Sequence, residues 1–258
     1  MRYRARAEYD GTDFAGFQAQ PGRRTVQGEL ERALAQVSGG NPVRVEAAGR
    51  TDAGVHAAGQ VIAFTYAGGL GPDDLGQALA GLLPADIAVG QLRRVPAGYR
   101  PRYQARSREY RYRIWTGPPS PLRERYALGV RERLDTAAMR AAAERLVGRH
   151  DFSAFGGAER QPIRTLDRVR IRRSGRMVTI EVVGDSFLRH MVRRLVAALL
   201  RVGRGQASVE DVSAALRSRR PAFSGEAAPA AGLVLWRVGL AGPSRRLEAR
   251  ANDEHEDI

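Results

Sequence analysis

The chain has 258 residues, 43% of them hydrophobic and 27% charged, with no cysteine and with 42 basic against 28 acidic side chains. This is the composition of a folded protein with one large domain or two ordinary ones, and it excludes a disulfide framework and thiolate chemistry. No apolar run approaches the roughly 18 residues of a helical membrane span, so the net charge of +14 calls for a polyanionic partner, nucleic acid before membrane.

The N-terminal segment MRYRARAEYD alternates and is charged throughout, which predicts a strand through Tyr3, Ala5, Ala7 and Tyr9 rather than a signal peptide. A cytoplasmic location is the expectation. After the loop DGTDFAGFQAQPGRR, Thr25 is placed to cap a helix running to about Val37, with Val26, Leu30, Ala33, Leu34 and Val37 on one face. Strands are predicted at about 43–48 and 60–66, and the loop RTDAGVH lies between them. A helix from near Pro72 and a strand from Ile87 to Val95 complete the first half.

The second half repeats the order. Strand 109–115 (EYRYRIW) leads to a helix from Thr136 to Val147, then to strands at 165–173 and 177–183 about a Ser174-Gly175 turn. A helix from about Phe187 to Val202 and a strand at 233–239 follow, with an extra helix at Ser208 to Leu216. Each half therefore reads β-α-β-β-α-β, which predicts an α+β protein of two ferredoxin-like halves whose antiparallel sheets form a basic cleft. The expected division is 1–104 and 105–241, near the polar, basic RPRYQARSR. The tail 242–258 has no periodicity, ends acidic, and is expected to be disordered.

Little conventional chemistry is available. The histidines, His56, His150, His190 and His255, make no metal-ligating pair, and no serine sits in a nucleophile elbow. Asp10, Asp13 and Asp52 are a candidate Mg²⁺ set of the kind a nuclease uses, although DGTD is also an ordinary Asx turn. Single-carboxylate chemistry remains. Asp52, in the Gly-flanked AAGRTDAGVH, has a plain reading as a turn residue and a chemical one as a carboxylate kept ionised by arginine. Arg50 stands two residues away, and Arg189 and Arg193 lie at i, i+4 on the helix FLRHMVRRLVAALLRVG. In REYRYRIW the strand alternation puts Tyr110, Tyr112 and Ile114 on one face and Arg111, Arg113 and Trp115 on the other. Such a strand suits base stacking with phosphate contact, or equally a core strand.

The set YDGTDFAGFQAQP, RTVQGELERAL, AGRTDAGVHAAGQV, SREYRYRIW, DFSAF, GDSFLRHMVRRLV and APAAGLVLW resembles the TruA family of tRNA pseudouridine synthases, in order and over nearly the whole chain. The resemblance implies that Asp52 is the catalytic aspartate and that Tyr110 packs against the target base. It implies further that Arg193 pairs with Asp52, that Arg50 helps fill the space left by a flipped nucleotide, and that Leu233 walls the pocket. Phe17 stands where the family motif carries Trp, and it lacks the indole N–H. The implied reaction isomerises uridine at positions 38, 39 and 40 of the tRNA anticodon stem-loop, on a homodimer, without cofactor or metal. Two other readings stand beside it: a non-enzymatic RNA-binding protein of tandem ferredoxin-like units, and a Mg²⁺-dependent nuclease.

Overall fold

The computed structural model describes residues 1–156, 160–218 and 227–240. The tail beyond residue 242, with His255, lies outside the described residues. The first half comprises β1 (Arg2–Tyr9), α1 (Val26–Val37), β2 (Val45–Ala47), β3 (His56–Thr65), α2 (Pro72–Leu82) and β4 (Ile87–Val95). Then come α3 (Pro101–Gln104), β5 (Ala105–Trp115), α4 (Pro121–Glu124), β6 (Leu128–Gly129), α5 (Thr136–Glu144) and β7 (Gly148–Asp151). The chain continues through β8 (Ile163–Ser174), β9 (Met177–Gly184), α6 (Met191–Gly203), α7 (Val209–Ser218) and β10 (Leu233–Leu240). Among the described residues no helix is long and apolar enough to cross a membrane.

Local chemistry sets several of these boundaries. The Thr25 hydroxyl accepts from the Gly28 N–H and opens α1, whose buried stripe is Val26, Leu30, Ala33 and Leu34. Pro72 occupies the first turn of α2, where a missing N–H costs nothing. Asp135 caps α5 by accepting from the N–H groups of Ala137 and Ala138. In β1 the alternation expected from the sequence holds, with Tyr3, Ala5, Ala7 and Tyr9 buried.

The strands form one mixed, mostly antiparallel sheet in the order β4-β1-β3-β10-β5-β9-β8-β7. Within it β4-β1-β3, with β2 on β3, and β10-β5-β9-β8 repeat the same order, the fourth strand beside the first and the third beside the second. Where the sequence suggested separate sheets, the two sets are joined. The start of β3 runs parallel to the start of β10, pairing His56 with Val234 and Ala57 with Leu235. That pairing explains why β3 begins at His56 rather than near residue 60. One register row then crosses the seam: Tyr9 opposite Ala57, Ala57 beside Leu235, Leu235 opposite Tyr110, and Tyr110 opposite Val182. Residues in one row share a face, so Tyr9 from one half and Tyr110 from the other point to the same side of the sheet.

The opposite side of the second half carries the alternate residues. Arg111 pairs with Glu109 at 2.9 Å and lies 4.0 Å over the Trp236 ring, and Arg168 pairs with Glu181. The apolar side of β5 holds Tyr112 and Ile114 at 0% exposure, in the core beneath α6 residues Leu195, Val196 and Leu199. Tyrosines and arginines of REYRYRIW therefore occupy opposite faces, and the core reading of that strand applies to all but its cleft end.

Candidate active site

Above the seam lies a cleft of about 970 Å³. Its walls come from the 44–55 segment, from Arg100 to Tyr110, and from the 186–193 segment leading into α6, with Leu233 at the start of β10. Seven arginines line it, among them Arg50, Arg108, Arg189 and Arg193, against two carboxylates, Glu46 and Asp52. Such a ratio concentrates positive potential around the Asp52 carboxylate.

The loop that carries Asp52 is built from below. Phe17 N–H donates to the Thr51 carbonyl at 3.1 Å, and the Tyr9 and Thr51 hydroxyls meet at 2.8 Å. Gly16 has a φ of +98°, and a Cβ there would stand 3.0 Å from the Thr51 carbonyl oxygen. Gly11 is tighter still, since its Cβ would fall 2.1 Å from the Val55 carbonyl oxygen. These glycines let the 10–25 segment press directly against the Asp52 loop. From the side, fully buried Gln60 donates to the Gly49 carbonyl at 2.8 Å. Phe17 is buried with its ring 6.2 Å from that of Tyr9, so its aromatic body packs beneath the loop.

Asp52 itself keeps a third of its side chain exposed, enough for a ligand to reach it. Its Oδ2 lies 3.7 Å from Arg193 Nη1, and its Oδ1 lies 3.5 Å from His190 Nε2. Arg193 is oriented by a 2.7 Å bond from its Nε to the Ala228 carbonyl. Arg50, two residues away in sequence, is exposed on the cleft wall and makes no ion pair with Asp52. Tyr110 is 9% exposed and stands edge-on to Phe187, ring centroids 5.2 Å apart. Burial pushes its hydroxyl well above the ordinary tyrosine range, so it is a neutral donor.

All five residues singled out in the sequence, Asp52, Tyr110, Arg50, Arg193 and Leu233, line this one cleft. The candidate Mg²⁺ set does not assemble. Asp13 is exposed and neither it nor Asp10 lines the cleft. Asp10 instead accepts from Thr12, Arg125 and Tyr126, and lies 3.0 Å from His56 Nδ1. Burial alone would raise the Asp10 pKa, but those donors outweigh it and hold the carboxyl far below its usual range. Among the described residues no group of three or more His, Cys, Asp or Glu is placed to hold a metal ion.

Two contributors were not picked out from sequence. Among the described residues Arg108 has no carboxylate partner, and it donates to the backbone carbonyls of Ala48 and Asp185, tying the Asp52 loop to the segment before α6. His190 has a left-handed backbone, φ +61°, which ends any helix N-terminal to it and explains why α6 begins at Met191 and not at Phe187. Neither had a local signal, because both act across the seam.

Comparison with known proteins gives this geometry a family. A family model described as tRNA pseudouridine synthase matches residues 5–104 and 142–239. The chain belongs to the tRNA pseudouridine synthase family. Asp52, Arg50, Arg193 and Leu233 fall inside the matched segments, and Tyr110 lies between them. The chain is 43% identical over 236 residues to tRNA pseudouridine synthase A of Halalkalibacterium halodurans, covering 90% of each. It is 44% identical over 242 residues to the protein of that name from Bradyrhizobium sp., and 42% identical over 241 residues to that of Thermosipho melanesiensis. Both of those alignments cover 92% of this chain and 98% of the relative. Membership in this pseudouridine synthase family makes the protein an isomerase acting on uridine in tRNA.

Proposed function

We propose that this isomerase converts uridine to pseudouridine at positions 38, 39 and 40 of the tRNA anticodon stem-loop, with Asp52 as the nucleophile. The observation that carries the reading is a reachable carboxylate beside Arg193 inside a cleft that carries seven arginines and one other carboxylate, Glu46. In a surface built for phosphate, a carboxylate opposes binding, so its presence argues for chemistry over mere RNA retention. Residues 1–104 supply the nucleophile, and residues 105–241 supply Tyr110, Arg193 and Leu233, so the halves act together at their seam. The target base is extruded from its stack, which costs a few kcal/mol; arginine contacts to phosphate offset that cost, and Arg50 stands where the emptied space needs filling. The reaction is redox-neutral: the N1–C1′ bond breaks, the uracil turns, and C5 bonds to C1′. The enzyme works as a homodimer in the cytoplasm.

The test is tritium release from tRNA carrying C5-labelled uridine, with the modified positions mapped in the product. Asp52→Asn and Asp52→Ala abolish release while tRNA affinity stays within about tenfold of the parent protein. Unimpaired release by either variant removes Asp52 from the chemistry. Pseudouridine formed by the parent protein at positions other than 38 to 40 removes the assigned target.

A further inference from the structure

Conversion of uridine to pseudouridine leaves one proton out of place. Once C5 has bonded to C1′, C5 still carries its hydrogen, and that hydrogen must depart as a proton before the ring is aromatic again. Where Asp52 has added to C6 it is still bonded at that moment; where it had bonded to C1′, the new C5–C1′ bond has just displaced it, and on a glycal route it was never bonded. The base is then Asp52 on some routes, and another side chain or water on the rest.

The cleft has a short inventory of candidates. Apart from arginines, its titratable side chains among the described residues are Glu46, Asp52, Tyr103, Tyr110 and His190. Glu46 is committed to Arg2 at 2.8 Å. Tyr103 is 73% exposed, and Tyr110 is held in its protonated form by burial. His190 is left. Its Nε2 faces Asp52 Oδ1 at 3.5 Å, and neither ring nitrogen makes a hydrogen bond to a described residue. It is one of two non-glycine residues with positive φ among the described residues, an arrangement that costs backbone energy and recurs at functional sites.

We propose that His190 is a catalytic residue, the base that removes the C5 proton. The proposal rests on the pseudouridine-forming reading above. In the step, His190 Nε2 takes the proton from C5, and the C5–H electron pair becomes the C5=C6 double bond. The C6=N1 pair returns to N1, which gains a proton from the imidazolium or from water exchanging with it. Nothing is oxidised or reduced; where Asp52 has added to C6, the same C5–H pair expels the carboxylate from C6 in place of the C6=N1 shift, and loss of the C5 proton is required on every route.

The surroundings keep the imidazole in its basic form. Desolvation lowers its pKa most; Asp52, the next largest influence, raises it, and the Arg193, Arg189 and Arg194 charges lower it again, so that the net direction is down. The positive end of α6, which begins at Met191, also disfavours a charged ring. The neutral base is thus available at neutral pH, and it is lost as pH falls through a value below the ordinary 6.5.

Two full-length variants test this, both with residues that tolerate a left-handed backbone: His190→Gly and His190→Asn. Single-turnover tritium release from C5-labelled tRNA is expected to slow by roughly 10²- to 10³-fold in each. Affinity for tRNA should change by less than about threefold, and the deuterium isotope effect at C5 should grow because proton removal becomes limiting. Added imidazole should partly restore the Gly variant, and the acid limb of the parent pH profile should disappear. Release within about threefold of the parent overturns the proposal. So does a deep loss with no imidazole rescue and no larger isotope effect, since that pattern belongs to loop geometry. An inactive Asp52→Asn beside an active His190→Gly defeats only the role of His190, whereas an active Asp52→Asn defeats the reading on which it rests.

Discussion

Tyr110 and Tyr112 sit two positions apart on one face of β5, yet their surroundings differ. Tyr112 is fully buried, its hydroxyl donating to the Pro229 carbonyl at 2.9 Å, so it is a core residue. Tyr110 closes the end of that face where the sheet opens into the cleft, braced by Phe187. On the proposed reading it offers the target base an aromatic ring fixed in place, and Tyr110→Phe keeps that ring. The expected result is tritium release within about tenfold of the parent, with the Phe187 contact preserved; a loss as deep as that of Asp52→Ala would assign the hydroxyl a role in the reaction. At this scale the sequence was informative where a residue type and its motif coincide, as for Asp52, Arg193 and Leu233. It was silent on His190, because nothing in a string of letters marks a left-handed backbone at a non-glycine position. It also placed Arg50 beside Asp52 by adjacency, whereas Arg193 and His190, from far along the chain, approach the carboxylate.

Between elements, the site depends on how firmly the Asp52 loop is joined to the segment before α6. Arg108 on β5 makes that joint, with one guanidinium nitrogen on the Ala48 carbonyl at 2.8 Å and another on the Asp185 carbonyl. Burial is the largest influence on its pKa and lowers it. Arg108→Met fills similar space but leaves both carbonyls without their donor, at about 1–3 kcal/mol for the unsatisfied groups. The predicted outcome is a lowered unfolding midpoint together with a kcat that drops about tenfold or more while KM for tRNA moves little, since the loop rather than the phosphate contact is disturbed. A KM effect larger than the kcat effect would make Arg108 a tRNA contact instead. Most elements themselves were readable, because the 3.6-residue stripe of α1 and the alternation of β1 are local patterns. Short pieces such as α3, α4 and β6 were not, having too few residues to carry a period. The parallel β3–β10 junction was invisible for a different reason: it pairs residues some 178 positions apart, as Val234 with His56, and no local pattern records a distant partner.

Across the whole molecule, the excess of arginine has to be reconciled with a sheet that buries so much of its surface. Part of the charge is spent internally: Arg2 on Glu46, Arg24 on Asp86, Arg111 on Glu109 and Arg168 on Glu181 are paired within the fold. The seven arginines of the cleft face two carboxylates, one of them Glu46, already bound to Arg2. Seven arginines against two carboxylates leave net positive charge where the sheet halves meet, around Asp52. Phosphate binding there displaces condensed counterions, with a slope of about −0.7 to −0.9 in log affinity against log salt for each phosphate neutralised. If five cleft arginines meet phosphates, tRNA affinity should fall roughly one hundred- to five hundredfold between about 50 and 200 mM salt. Replacing Arg189 by Gln should lower that slope by about one unit while leaving chemistry on bound tRNA largely intact. Binding isotherms across a salt series, alongside single-turnover rates at saturating enzyme, separate the two effects. A flat salt response would mean that the cleft does not hold the phosphate backbone, and the potential concentrated around Asp52 would then need another anion to explain it.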